Sequence, residues 1–281
     1  MTKAVEEGPS ARREFHLEVE EEGADAVSLL AAATGLGRGR VKRAMACGAL
    51  WLERNGRVAR LRRVKRRLVA GDRLHLYHDP RILDREPPTA WLVADEGDWS
   101  VWCKPPGMFS QGSRWGDHWS IARFAEQRLQ RSAFLVHRLD RAASGLILVA
   151  HGRKTAAALS RLFRERRVEK RYRVVVHGCF PGQPQRFDSP LDGRPALTHA
   201  RLLERDDEAG RSLLEVEIET GRKHQIRRHL AAAGFPVVGD RFHGGGEEED
   251  LRLQCVLLAF PDPAGSRRRE YRLPVTEWMG L

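Results

Sequence analysis

A carboxylate with the surroundings of a reactive group stands in the middle of the chain, at Asp140. It lies between Arg138 and Arg141, whose positive charges favour its ionised form. Small residues follow it, and Gly145 permits backbone conformations that other residues resist, so the segment leaves room for a substrate. An ionised carboxylate in such a loop could attack a substrate or remove a proton. The alternative is structural, since Asp140 could cap a turn and pair with an arginine at the surface.

A tyrosine is the second candidate. The run from Glu169 to Val176 is rich in β-branched residues, and its period of two places Tyr172 on the same face as Val174 and Val176. A tyrosine on an apolar strand face ordinarily belongs to the core. The residues alone therefore leave its role open.

Basic residues and histidines follow in the segment from Arg222 to Leu230, where Ile226 and Leu230 are one helical turn apart. His224, His229 and His243 suggest a metal site. His224 and His229 are five residues apart, however, so they do not share a helix face as paired ligands would. We expect no metal here.

The neighbouring segments predict the elements that position these side chains. Leu146–Ala150 is a continuous apolar run that indicates a buried strand. Asp140 therefore lies in the loop just before this strand, where the edge of a sheet can border a cleft. Apolar residues at helical spacing predict a helix over 154–166. Leu214, Val216 and Ile218 alternate with glutamates, which indicates a half-buried strand before the basic segment.

Charge and composition limit the classes of partner. The net charge is +11, and the stretch from Arg38 to Arg73 holds all of the excess, with 13 Lys and Arg against two acidic residues. Such a local surplus suggests a polyanion as partner. No apolar run approaches the ~20 residues of a membrane span, so we expect no membrane contact. The four cysteines are far apart, which argues against a disulfide framework or zinc knuckle and favours the cytoplasm.

The pattern of elements predicts two domains. Residues 1–14 are polar and lack periodicity, which predicts a flexible tail. Residues 15–80 predict two small helices, a hairpin that turns at Asn55-Gly56, and a strand after Gly71-Asp72. Residues 81–89, which are rich in proline and charge, predict a linker, and residues 90–281 predict a second domain.

Two small helices, a hairpin and a G-D-x-L strand resemble the S-four-like RNA-binding domain, which is named after a ribosomal small-subunit protein. The resemblance implies a small N-terminal α+β domain whose second helix presents basic side chains to an RNA backbone. Those side chains are Arg38, Arg40, Lys42 and Arg43. The alternative is that they only solubilise the surface.

Three separated motifs of the second domain resemble the pseudouridine synthases of the large-ribosomal-subunit pseudouridine synthase A family. Residues 137–145 match H-R-L-D-x-x-(T/S)-S-G, with Ala143 in place of the usual Thr, and Lys170–Tyr172 match K-x-Y. Residues 220–229 match T-G-R-x-H-Q-I-R-x-H, and residues 236–244 match P-(I/V)-x-G-D-x-x-Y-G with His243 in place of Tyr. The resemblance implies an α+β catalytic domain with a mixed or antiparallel sheet and a central active-site cleft.

The resemblance also implies residue roles. Asp140 is the catalytic carboxylate, Tyr172 lies against the target uracil, and Arg227 pairs with the carboxylate. Ile226 lies beside the base. Arg138 occupies the place of the flipped base or grips a phosphate, with a plain salt bridge as the alternative. Two more residues of the third motif, Arg222 and His224, are expected to bind substrate.

The family isomerises uridine in RNA, a reaction in which the bond from ribose to uracil nitrogen breaks and a bond from ribose to carbon forms. The resemblance thus implies no cofactor, no metal, and RNA as partner, with ribosomal RNA favoured over transfer RNA. A monomer is the default expectation. Whether Asp140 attacks covalently or acts as a base stays open.

Two rival functions share these residues. A non-catalytic RNA-binding or ribosome-assembly protein could keep the fold, but it has no reason to keep Asp140, Tyr172 and Arg227 together. A glycosidase or nucleoside hydrolase could use Asp140, but it typically needs a second acidic residue, which the neighbourhood of Asp140 in the sequence lacks.

Overall fold

The computed structural model describes residues 12–244, 246, 250–263, 265, 267–277 and 279–281. The described residues form two compact units. The first unit ends at Pro87 and also includes Gln111–Arg123, and the second comprises Pro88–Ser110 and Phe124–Leu281. The break at Pro87 falls within the predicted linker.

The first unit is an antiparallel sheet with helices. The sheet order is β1-β4-β2-β3. Asp25 caps α1 by accepting hydrogen bonds from the amides of Val27 and Ser28, and Gly35 ends the helix in the left-handed region at φ 70°. Its elements are β1 (Arg13–Glu18), α1 (Ala26–Thr34), α2 (Arg38–Ala46), β2 (Leu50–Arg54), β3 (Arg57–Arg60), β4 (Arg73–His78) and α3 (Pro80–Leu83).

Three boundaries differ from the sequence predictions. Residues 1–11 of the predicted tail lie outside the described residues, but Arg13 and Glu14 already belong to β1, because they pair with β4. The predicted linker begins inside α3, which Asp79 caps and Pro80 opens. Gln111–Arg123, which the sequence places in the second domain, belongs to the first unit because Asp117 pairs there with Arg60 and Arg62.

The second unit contains the remaining elements of the described chain. Its strands are β5 (Trp91–Asp95), β6 (Trp99–Lys104), β7 (Phe134–Leu135), β8 (Ser144–Ala150), β9 (Glu169–His177), β10 (Gln185–Phe187), β11 (Thr198–Asp206), β12 (Arg211–Ile218), β13 (Leu253–Pro261) and β14 (Arg268–Arg272). The helices are α4 (Ile121–Leu129, whose first three residues belong to the first unit), α5 (Arg153–Arg164), α6 (Gln225–Ala232) and a single 3-10 turn (Val275–Glu277).

The described strands of this unit form one mixed sheet in the order β10-β11-β12-β9-β13-β8-β6-β5, with β7 on β8 and β14 on β13. The pair β8 and β13 is parallel, and the other pairs are antiparallel. Strand β13 lies at the centre and joins the half that contains β8 to the half that contains β9. The predicted α+β class and mixed sheet are confirmed.

Candidate active site

The loop that carries Asp140 connects β7 to β8, and Ser110 holds its backbone in place. Ser110 Oγ donates to the carbonyl of Leu139 (2.7 Å) and accepts from the amide of Leu139 (3.0 Å). These two bonds fix the backbone immediately before Asp140. A buried serine that satisfies both backbone groups of one residue holds that residue in place.

A buried lysine supports the other side of the loop. Lys104, at the end of β6, is fully buried, and its Nζ lies within hydrogen-bond distance of the carbonyls of Pro105 (2.9 Å), Met108 (3.0 Å), Arg141 (3.3 Å) and Ala143 (2.6 Å). Burial lowers its pKa to about 7, although the charge of Asp140 opposes this shift. Two of the four acceptors, the carbonyls of Arg141 and Ala143, belong to the loop around Asp140, which is distant from Lys104 in the chain.

The loop opens onto a cavity of about 230 Å³ in the second unit. All three residues that the sequence assigns to catalysis line this cavity, and so do the four that it places against the substrate in this domain. The first set is Asp140, Tyr172 and Arg227, and the second is Arg138, Arg222, His224 and Ile226.

Arg227 connects two carboxylates. Its Nε donates to Asp240 Oδ2 at 2.8 Å and its Nη2 to Asp240 Oδ1, whereas its Nη1 donates to Asp140 Oδ2 at 3.3 Å. Arg227 and Asp240 are both buried. Burial opposes both charges, but the hydrogen bonds and the attraction of nearby opposite charges together outweigh it, so the pKa of Arg227 is raised and the pKa of Asp240 is lowered. The expected pairing with Asp140 is present, but the closer partner is Asp240, which sequence reasoning missed.

A buried amide sets the start of α6 and thus the direction of Arg227. The Gln225 side chain accepts hydrogen bonds from Thr220 Oγ1 (2.7 Å) and from the amide of Arg222 (3.0 Å). It donates to the carbonyl of Leu197 (2.9 Å) and to Thr198 Oγ1 (3.0 Å). Every bond that the amide can make is used, so the turn before α6 is tied to β11.

Tyr172 faces the cavity from β9 and pairs across the sheet with Cys255 of β13. It is buried. Burial, followed by the nearby Cys255 and Asp140, raises the pKa of its hydroxyl well above the ordinary value. The group is therefore a neutral phenol at neutral pH, able to donate or accept a hydrogen bond.

His224 caps α6 in the left-handed region at φ 54°. Its Nε2 lies 4.0 Å from Asp140 Oδ1, and its Nδ1 lies 3.1 Å from Nε2 of His243. Burial lowers the pKa of His224, although Asp140 opposes this, so the ring is neutral at neutral pH. His229 lies apart from both, because its two ring nitrogens contact Thr198 Oγ1 and the carbonyl of Ser189.

The four basic residues expected to bind RNA lie in the first unit, on α2. Arg38 pairs with Asp25 at 3.3 Å, and Arg43 donates to the carbonyl of Leu83 at 2.6 Å. Arg40 and Lys42 are exposed. Two of the four side chains are therefore engaged within the protein, whereas the other two point to solvent.

Two features are absent from the part of the chain that the structure describes. No helix there has the length and apolar composition to cross a membrane. Within the same residues, no three His, Cys, Asp or Glu side chains are grouped in a way that could hold a metal ion.

Comparison with known proteins identifies the family. Residues 98–232 match the family model described as RNA pseudouridylate synthase. The chain is 34% identical over 226 residues to an uncharacterized RNA pseudouridine synthase, slr1592, of Synechocystis, covering 73% of this chain and 75% of that protein. It is 32% identical over 210 residues to the dual-specificity RNA pseudouridine synthase RluA of Escherichia coli K12, covering 67% of this chain and 95% of that protein.

A solved structure agrees with the fold. Human RNA Pseudouridylate Synthase Domain Containing 1 superimposes with a TM-score of 0.58 at 23% identity, covering 68% of this chain and 86% of that chain. The matched segment 98–232 contains Asp140, Tyr172 and Arg227. On these grounds the chain belongs to the RNA pseudouridine synthases, isomerases of the RluA-like kind.

Proposed function

We propose that Asp140 is the carboxylate with which this chain isomerises uridine in RNA to pseudouridine, and that Tyr172 and Arg227 act beside it. The observation that carries the proposal is that these three side chains, which come from a loop, a strand and a helix, face one cavity. The cavity suits one extruded base rather than a base pair. Extrusion of an unpaired base from a stack costs a few kcal/mol, which contacts in such a pocket can offset.

The net charge around Asp140 depends on how the guanidinium group of Arg227 is shared between Asp140 and Asp240. Asp240 takes two nitrogens of the guanidinium and Asp140 takes one, so the three side chains together carry one negative charge. One guanidinium nitrogen of Arg227, at 3.3 Å from Asp140 Oδ2, therefore faces this carboxylate without neutralising it fully. A carboxylate that stays ionised in a largely desolvated pocket can attack the ribose or base, or can remove a proton.

Tyr172 supplies an aromatic face and a hydroxyl. Its ring can stack against the uracil while the base turns from its nitrogen to its carbon attachment. Because its pKa is raised, the hydroxyl keeps its proton at neutral pH; it can donate a hydrogen bond to the turning base, or pass a proton on as it accepts another. Ile226, which is also buried at the cavity, offers the base an apolar contact.

The substrate is proposed to be structured ribosomal RNA, with transfer RNA as the alternative. The support is the first unit, whose sequence from Arg38 to Arg73 holds the excess positive charge and whose two helices and hairpin have the order of an S-four-like domain. Exposed Arg40 and Lys42 are the α2 side chains proposed to contact the RNA backbone. We further propose a monomer that works in the cytoplasm. Mapping pseudouridines in cellular RNA with and without the gene tests the choice of RNA.

The role of Asp140 is tested with Asp140→Asn. RNA transcribed with tritium at carbon five of uracil should lose its label to the wild-type chain but not to the variant, while both bind the RNA to a similar extent. Asp192→Asn, which changes an exposed carboxylate, should retain wild-type activity. Activity of the Asp140 variant within about tenfold of wild type would contradict the proposal. Free uracil as the product would instead identify a hydrolase.

A further inference from the structure

A second concave site adjoins the active cavity. It is a groove of about 390 Å³, and it shares Arg138, Tyr172 and Arg222 with the active cavity. The two spaces are therefore direct neighbours, and the shared side chains line both of them. An RNA strand with one uridine in the active cavity has to place its neighbouring nucleotides in an adjoining space.

Positive charge converges on this groove, which we call the basic groove. Five cationic side chains line it, namely Arg138, Arg164, Arg166, Lys170 and Arg222. The one carboxylate in its lining, Glu219, is already contacted by Nε2 of His199 at 3.2 Å. The groove thus carries a surplus of cations.

Among the described residues, these cations have no carboxylate in direct contact. Across the described residues, no carboxylate forms an ion pair with any of the five. Arg171 shows the contrast, because it lies on the opposite face of β9 from Lys170 and pairs with Glu169 at 2.7 Å. Arg171 thus has a contacting carboxylate, whereas Lys170, on the face towards the groove, has none among the described residues.

Local structure aims them at the groove. Lys170 and Tyr172 are two residues apart on β9 and therefore share a face; Tyr172 lines both spaces, and Lys170 lines the groove. Arg164 ends α5, and Arg166, in the left-handed region at φ 59°, follows the turn after it. Arg222 is steadied by the bond from its Nε to the carbonyl of Pro195 (3.0 Å).

Lys170 gives the strongest indication of a ligand. Its side chain is largely buried, and among the described residues no carboxylate contacts it, although the charge of Glu217 acts on it from further away. Burying an ammonium group without a contacting anion is costly. The cost is reduced when a bound anion supplies the missing charge. Four guanidinium groups and one ammonium group in a single groove can bind more than one phosphate, because a guanidinium group matches the geometry of phosphate oxygens.

We propose that the basic groove binds the phosphodiester backbone of the RNA strand next to the uridine held in the active cavity. The inference rests on the proposed function, because it takes the occupant of the cavity to be a nucleotide of an RNA strand. Arg138, which lines both spaces, lies where the strand passes from one to the other.

The test compares two double variants of α5 and the residues after it. Arg164→Ala/Arg166→Ala removes two cations of the groove, and Arg153→Ala/Arg161→Ala removes two exposed arginines of the same helix that do not line it. Binding of uridine monophosphate and of dodecauridylate is measured over a range of salt concentrations. Arg164→Lys/Arg166→Lys keeps the charge and serves as the rescue.

The groove variant should bind dodecauridylate about tenfold more weakly, and the slope of log affinity against log salt should fall by roughly 0.7 for each cation removed. Its affinity for uridine monophosphate should be unchanged, and the lysine variant should recover most of the slope. Equal slopes for the groove and control variants would overturn the inference, as would an equal loss of monophosphate binding. If the wild-type chain releases no tritium from any RNA, the proposed function fails, but the salt slopes still decide whether the groove binds a strand.

Discussion

Arg227 and Asp240 form a buried ion pair through two nitrogens and two oxygens, and this pair sets the direction of the one guanidinium nitrogen that reaches Asp140. The geometry means that the charge beside Asp140 is positioned by a residue that does not line the cavity. Asp240 is held in turn by the amide of Phe242, which donates to its Oδ1 at 3.0 Å. Asp240 is therefore a positioning residue.

Asp240→Asn should lower both stability and activity. Removing one partner of a buried ion pair costs about 3–5 kcal/mol, because the remaining charge is left uncompensated. We expect a loss of about 3 kcal/mol in urea unfolding at neutral pH, since Asp140 still offsets part of the charge. Tritium release should fall by about tenfold or more, because Arg227 loses its orientation.

Asp192→Asn is the matched control for this change. Asp192 also pairs with an arginine, Arg228, at 3.0 Å, but its side chain is 68% exposed. An exposed pair contributes about 0–1 kcal/mol, so this variant should unfold nearly as wild type does. Equal stability of the two variants would show that the buried pair of Asp240 contributes no more to the free energy of unfolding than the exposed pair of Asp192.

Tyr172→Phe separates the aromatic face from the hydroxyl. The phenyl ring retains its contact with the base, so binding of uridine monophosphate should stay within about twofold of wild type. Tritium release should fall by about a hundredfold or more if the hydroxyl handles a proton. A variant that binds and reacts like wild type would leave Tyr172 as a stacking residue alone. Because the pKa of Tyr172 is raised, its titration should cause no loss of activity between neutral and mildly alkaline pH.

Gly145→Ala should disrupt the central sheet. Gly145 has φ 104° and pairs with Cys255 across the parallel strands β8 and β13, where an added Cβ would overlap the backbone carbonyl of Cys255. We expect a loss of about 3 kcal/mol or more in urea unfolding. Gly152→Ala is the control, because the nearest atom to its added Cβ would be Thr155 Oγ1 at 3.9 Å, and it should cost about 1 kcal/mol or less.

His137 should make stability depend on pH. Its Nε2 accepts a hydrogen bond from the amide of Leu148 at 2.9 Å, which only the unprotonated nitrogen can do, and its ring stacks on Phe163. Burial lowers its pKa to about 3. Because the unfolded chain binds this proton at an ordinary pKa of about 6.5, the folded state loses stability as pH falls from about 6.5 towards 3.

His137→Gln removes this titration while it keeps an acceptor for the amide of Leu148. Wild type should lose about 1 kcal/mol more than the variant between pH 6 and pH 5 in urea unfolding. The interval avoids the range in which most carboxylates titrate. Parallel stability curves for the two proteins would show that His137 is protonated equally in the folded and unfolded chains.

Short-range signals explain why much of the fold can be predicted from the sequence. Asp25 and Gly35 limit α1 because capping depends on neighbouring backbone groups. The Asn55-Gly56 turn forms because both residues adopt positive φ values. The edges of the two units could not be predicted in this way, because Gln111–Arg123 owes its place to ion pairs with arginines about fifty residues away in the sequence.

The same distinction between short-range signals and contacts of distant residues applies to the functional site. Asp140, Tyr172 and Arg227 each belong to a short motif, so the sequence could identify them, and the structure brings them to one cavity. Asp240 stands in the second part of the third motif, and its Gly-Asp pair is the signal that could have identified it. Neither spacing nor periodicity tells which distant arginine such an aspartate binds. The four carbonyls that surround Lys104 have no sequence signal, because any residue type can supply them.

The central position of β13 bears on the order in which the protein becomes active during synthesis. In the described sheet, the half with the Asp140 loop and the half with Tyr172 and α6 are neighbours only through this strand. A ribosome makes both halves well before it makes β13. A nascent chain that stops short of Leu253 therefore holds every proposed catalytic side chain yet lacks the strand that unites them, so the emerging polypeptide should stay inert towards RNA until that strand is released and inserted.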